Sequence, residues 1–159
     1  MATAVQLTLN GAEVVAVVQG AETLLALLRG RLGDTSPKAG CLQGTCGACT
    51  VLLDGEPVPA CLVLAEAAAG RRVETVRGLA DGPNLHPLQE AFMERFAAQC
   101  GFCTPGMLMA AKALLDRNPH PSREEVIEAI SGNICRCTGY TPIVEAILDA
   151  ARAGGGRRG

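Results

Sequence analysis

Eight cysteines in two groups of four restrict this 159-residue chain more than any other feature. In "GCLQGTCGACTVLLDGEPVPAC", residues 40–61, Cys41, Cys46 and Cys49 follow C-x4-C-x2-C and Cys61 comes twelve residues on. "CGFCTPG" (100–106) and "CRCTGYTP" (135–142) hold the other four, Cys100, Cys103, Cys135 and Cys137, as C-x2-C and C-x-C. Cysteine so dense means disulfides in an oxidising compartment and metal ligation in a reducing one. The opening "MATAVQLTLNG" lacks the basic and apolar regions of a signal peptide, and no apolar run approaches the roughly 18 residues of a membrane span. The chain is therefore expected in the cytoplasm, without a membrane partner and with its thiols on metal. A net charge of −2 and 3% aromatic residues, with no Trp, leave neither the basic patch nor the stacking platform of a nucleic-acid binder.

Hydrophobic patterning divides the chain. Apolar residues alternate from Val5 to Leu9, and Asn10-Gly11 followed by Val14–Val18 predicts a hairpin. "AETLLALLRGRLG" predicts a short helix capped by Thr23, with Leu24, Leu27 and Leu28 on one face and Gly33 past its end. A second hairpin is expected around Asp54-Gly55, and another strand in "RRVETV". "RGLADGPNLHP" has two Gly and two Pro without periodicity and reads as a linker. Beyond it four helices are predicted from three-four spacing: Leu88, Phe92 and Phe96; Met107, Ala111, Leu114 and Leu115; Val126, Ile127 and Ile130; Ile143, Val144, Ile147 and Leu148. Ser122 and Glu125 form a capping box for the third. Helix, cysteine pair, Thr-Pro, helix occurs twice, so two helical hairpins would bring the cysteine pairs together at one end of a four-helix bundle. The expected organisation is a domain at 1–77, a linker at 78–86, a helical domain at 87–153 and a flexible tail or short partner contact at 154–159.

The first cysteine group has the plant-ferredoxin spacing for a 2Fe-2S cluster, with Cys61 as fourth ligand. Gly40, Gly44 and Gly47 would permit positive φ and let backbone amides approach sulfur. The second group supplies four thiolates that tetrahedral zinc would accept as readily as iron. Thr104-Pro105 and Thr141-Pro142 read as N-cap and N1 residues, aiming positive helix ends at the thiolates, a field that favours either metal.

A C-x4-C-x2-C motif with a fourth cysteine a dozen residues on, followed by "QCGFCTPG" and "GNICRCTGY", resembles the small iron-sulfur subunit of the molybdenum hydroxylase family, which includes xanthine dehydrogenase, aldehyde oxidoreductase and carbon monoxide dehydrogenase. The likeness runs over residues 3–152 and takes in all eight cysteines. It implies an α+β protein: an N-terminal β-grasp, ferredoxin-like 2Fe-2S domain, then an all-α four-helix-bundle 2Fe-2S domain. It implies that Cys41, Cys46, Cys49 and Cys61 bind the cluster facing FAD, and Cys100, Cys103, Cys135 and Cys137 the cluster facing the molybdenum cofactor. It places Gln99 and Cys137 against the pterin. The implied partners are a large subunit binding molybdopterin, with its cytosine dinucleotide form in a bacterium, and a medium FAD subunit, in a heterotrimer or a dimer of heterotrimers. The implied role is electron relay between molybdenum and flavin, with no catalytic residue in this chain. The alternative from another class is a structural or interaction module with two four-cysteine zinc sites.

Smaller signals have plainer readings. Gln99, from the residues alone, is an exposed helix-end side chain. Arg136 is either a surface charge or a donor to cluster sulfur. Phe102 shields the helical cluster or is core, Met107 and Met109 are packing residues, and Tyr140 packs at the start of the last helix. His86 and His120 precede Pro in loops, and a Rieske site needing two His is not expected where cysteines fill both sites.

Overall fold

The computed structural model describes residues 2–154; of the tail read at 154–159, residues 155–159 lie outside the described residues. Alternation buries Val5 and Leu7 of β1 (Ala2–Leu9) on one face. The Asn10-Gly11 connection pairs Leu9 with Ala12 at the start of β2 (Ala12–Gln19). Positive φ at both turn residues, 49° and 84°, gives the backbone twist a two-residue hairpin requires. Asp54 and Gly55, at φ 52° and 87°, do the same between β3 (Thr50–Leu53) and β4 (Glu56–Pro59). β5 (Arg72–Glu74) runs parallel to β1 and antiparallel to β3, giving the order β2-β1-β5-β3-β4.

One short helix covers this mixed sheet. Thr23 caps α1 (Leu24–Ala26), accepting from the Ala26 amide at 3.2 Å. From Leu27 to Arg31 the helix widens to π-type turns. Leu24, Leu27 and Leu28 are buried as expected, and so is Leu25, which three-four spacing leaves off that face. A 3₁₀ turn at Ala65–Ala68, which no periodicity announces, adds Ala65 and Ala68 to the same core.

The second half consists of α2 (Pro87–Glu94), α3 (Thr104–Arg117), α4 (Arg123–Ala129) and α5 (Thr141–Arg152), packed around one apolar core. Ser122 and Glu125 form the expected capping box. His86 forms another: its Nδ1 accepts from the Leu88 amide, and its own amide donates to Gln89. Leu88, Phe92, Met107, Ala111, Leu114, Leu115, Val126, Ile130, Ile143, Val144 and Ile147 are buried. Three members of the expected stripes are not. Phe96 is 82% exposed, because α2 ends at Glu94 and Phe96 follows in the left-handed region at φ 52°. Ile127, 49% exposed, stands one position round a seven-residue helix whose inward row is Val126 and Ile130. Leu148 is half-buried. Thr104 and Thr141 are not N-caps: Cys103 and Tyr140 hold those positions, and neither helix has a side-chain cap bond.

β3 explains how the halves join. All four of its residues are buried; Val51 and Leu53 face the sheet core, while Leu52 packs with Met109 and Ala113 of α3. A strand covered on both faces loses polar alternation, which is why "TVLL" is nearly all apolar. Residues 78–86 are not a free tether. Val76 and Leu79 pack on the helical core, and Asp81 and Asn84 exchange backbone hydrogen bonds. Just before them, Thr75 donates its hydroxyl to buried Asp34 at 2.7 Å and its amide to Asn10 at 2.8 Å, tying the loop that precedes the first cysteines to the strand ends. Among the described residues no helix is long and apolar enough to cross a membrane.

Candidate metal centres

All eight cysteines are free thiols. In the first group the chain doubles back between α1 and β3 so that amides turn inward. Gln43, Thr45 and Cys46 donate their backbone N–H to Cys41 Sγ at 3.5, 3.3 and 3.4 Å. Leu42 sits at φ 56° to aim them, a conformation costing a side-chain-bearing residue about 1–3 kcal/mol. These donors, led by the Gln43 amide, hold the Cys41 thiol down at about 6. Gly44 and Gly47 have the expected positive φ, 78° and 70°; Gly40 does not, but a Cβ there would lie 2.9 Å from Cys46 Sγ. Cys49 and Cys61 are buried under the loop, and burial pushes Cys49 up to about 11.

In the second group Cys100 and Cys103 flank the turn into α3, and Cys135 and Cys137 lie in the loop between α4 and α5. Cys137 donates to Cys100 across the two segments, with the sulfurs 3.5 Å apart. The Phe102 amide holds Cys100 low, whereas the bond to Cys100 raises Cys137. Burial pushes Cys103 up to about 12. Burial works against Cys135 too, yet the Thr138 hydroxyl and amide, at 3.1 and 3.4 Å, hold its thiol below the ordinary value. Cys100 and Cys137 are exposed, and Cys135 is buried.

The thiols of each group influence one another: Cys137 bonds Cys100 directly, and the ionisation of Cys41 responds to Cys46, that of Cys49 to Cys61 and that of Cys103 to Cys135. Among the described residues no three Cys, His, Asp or Glu side chains converge as the ligands of one ion. Four thiols per group instead suit a two-iron core, which takes two sulfurs at each metal. Amide and hydroxyl donors on Cys41 and Cys135 match the anionic charge such a core carries. Both groups border one cavity of about 250 Å³, with Cys41 and Cys46 on one side and Cys100, Cys103, Cys135 and Cys137 on the other.

Comparison with known proteins agrees with this division. Residues 7–78 match the family described as a 2Fe-2S iron-sulfur cluster binding domain, and residues 75–148 a second 2Fe-2S binding domain. The chain is 52% identical to the nicotine 6-hydroxylase small subunit of Paenarthrobacter nicotinovorans, over 98% of its own length and 93% of that protein's. It superposes on a chain of the crystal structure of quinoline 2-oxidoreductase from Pseudomonas putida 86 with a TM-score of 0.93 and 47% identity, covering 96% of each. It belongs to the small iron-sulfur subunits of the molybdenum hydroxylases. Not every relative keeps this unit separate: the aldehyde oxidoreductase of Megalodesulfovibrio gigas is 46% identical across 96% of this chain, which spans only 17% of that protein. The small subunit thus has two 2Fe-2S binding domains, and nothing in the matches supports two zinc sites.

The remaining expected residues fall around the second group. Gln99 is exposed beside Cys100. Arg136 is exposed and lines the shared cavity. Phe102, 47% exposed, reaches across to the ferredoxin-like half, its ring 3.4 Å from where Gly40 would carry a Cβ. Met107 and Met109 are packing residues with no exposure. His86 serves as a helix cap, and His120 is exposed. Tyr140 does more than pack: its hydroxyl accepts from the Cys135 amide at 3.0 Å. Asn133 went unread. It is buried, and its Nδ2 donates to Gly47 O at 2.9 Å. An Asn two residues before a cysteine was the sole hint in the sequence.

Proposed function

We propose that this small subunit relays electrons between a molybdopterin centre and FAD, both held by partner subunits, through two 2Fe-2S clusters. The supporting observation is the sorting of eight free thiols into two groups of four, members of both of which border one cavity. We assign Cys41, Cys46, Cys49 and Cys61 to the ferredoxin-like cluster and Cys100, Cys103, Cys135 and Cys137 to the other. When bound, the clusters supply one-electron carriers; the chain supplies binding, spacing and electrostatics. Cys49, Cys61 and Cys135 bury one side of each set against core. Ligation requires thiolates, so loading the raised Cys49 and Cys103 releases protons.

The finer assignments belong to the same reading. The first 77 residues form a β-grasp domain, and residues 87–153 a four-helix bundle with the second cluster at one end. Exposed Gln99 and Cys137 face the pterin, in its cytosine dinucleotide form, on a large subunit; the opposite face meets a medium FAD subunit, in a heterotrimer or a dimer of heterotrimers in the cytoplasm. Catalysis and substrate choice lie with the large subunit.

Iron and acid-labile sulfide analysis of the purified complex tests the core of this. About four iron and four sulfide per chain, with the brown absorption of ferredoxin-type clusters, are expected. A colourless protein holding two zinc ions would overturn it.

A further inference from the structure

Between the two sets of thiols the chain is bolted to itself. Ile134, one residue before Cys135, donates its amide to Cys46 O at 2.9 Å. Its neighbour Asn133 donates Nδ2 to Gly47 O at 2.9 Å and lies 3.4 Å from Thr50 Oγ1. Gly47 O also accepts from the Thr50 hydroxyl at 2.7 Å. The approach leaves no slack: a Cβ on Gly47 would lie 2.4 Å from Gly132 O, and one on Gly106 2.1 Å from Gly47 O. Asn133 is buried although its sequence neighbours Gly132 and Ile134 are exposed. It is an amide side chain taken out of water to make a contact between segments 86 residues apart, and burying an amide is unfavourable unless it is bonded.

We propose that Asn133 is a positioning residue that fixes the separation of the two cysteine loops and thereby the rate of electron exchange between the centres they bind. The inference rests on the two-cluster reading. What is exchanged is one electron, lost by one 2Fe-2S centre and gained by the other, with no bond broken and no proton moved. Tunnelling between two such centres falls exponentially with distance, so a loop shift too small to release either cluster still slows it. Asn133 bonds to Gly47 O and lies by Thr50 Oγ1, so its effect travels through Gly47, adjacent to Cys46, and through Ile134, adjacent to Cys135.

The test uses the complex assembled with wild-type, Asn133→Ala or Asn133→Asp small subunit. Asn133→Ala removes the donor; Asn133→Asp keeps the shape but sets a carboxylate against the Gly47 carbonyl. Iron and sulfide content is measured first, and wild-type complex lacking both would sink the two-cluster reading itself. Rapid-freeze electron paramagnetic resonance after partial reduction with dithionite follows the exchange, and the fully reduced spectrum gives the magnetic splitting between clusters. Both variants are expected to keep both clusters, Asn133→Ala with its individual midpoint potentials unchanged, to exchange electrons more slowly than wild type, and to show altered splitting. Wild-type rate and splitting in both would overturn the proposal. So would loss of a cluster in both, since Asn133 would then build a site rather than space two.

Discussion

Cys135 has its surroundings supplied by residues three to five positions away. Thr138 gives its sulfur a hydroxyl and an amide, and Tyr140 takes up its backbone N–H. Donors on sulfur stabilise the more negative, reduced form of a cluster and so raise its potential. Thr138→Val is therefore expected to lower the midpoint potential of the helical cluster and leave that of the ferredoxin-like cluster in place. A potentiometric titration followed by electron paramagnetic resonance separates the two; equal shifts in both would count against this assignment. The Thr at 138 was visible from the start, but its direction was not. Likewise Thr104 and Thr141 have the composition of helix caps, yet the helices start a residue too early for them to cap.

Between elements, the polar ties carry specific loads. Thr75 joins the end of β5 to buried Asp34 and to Asn10 in the first hairpin turn. Thr75→Val leaves Oδ2 of the Asp34 carboxylate, buried at 2% exposure, without its donor while Ser36 still holds Oδ1, and is expected to cost about 1–3 kcal/mol in denaturant unfolding; a midpoint shift within error would show that the network is dispensable. On the helical side Arg95, just past α2, pairs with Asp149 of α5, which Arg152 also reaches. Arg95 first, then Arg152, holds the Asp149 carboxyl below its ordinary value. A depressed carboxylate stabilises the fold above its unfolded value, near about 4, and that contribution disappears as pH falls through the folded value. Arg95→Ala should therefore narrow the stability gap between neutral and acid pH, measured by thermal unfolding at a series of pH values. Identical acid limbs in variant and wild type would contradict it. Turns, strands and the Ser122–Glu125 capping box were legible because each is settled within a few residues; the His86 box, read as loop, and the exposure of Phe96 were not, since the latter depends on where α2 stops.

Across the whole molecule, each set of four thiols comes from its own half, but the halves meet at the cysteine loops and along β3. Cys103→Ser is expected to abolish the helical cluster's signal while the ferredoxin-like signal persists, with its shape altered by the loss of a neighbouring spin. Electron paramagnetic resonance and iron content on the variant complex test this; disappearance of both signals at normal protein yield would mean that the halves do not hold their clusters independently. Val76 and Leu79, packed between the halves, explain why Gly and Pro between 78 and 86 shape a fixed path and not a hinge.

Cysteine spacing, the two-residue turns and apolar periodicity by themselves determined the two groups of four thiols, the hairpins and the helical second half, because ligand sets and local backbone preferences are written in short intervals of chain; the family came from the likeness of whole motifs. Only the folded chain decided that the two cysteine loops share a cavity and that Asn133 reaches Gly47. Such contacts depend on how a helical layer settles on the far face of β3, and no local pattern encodes an approach between residues so distant in sequence.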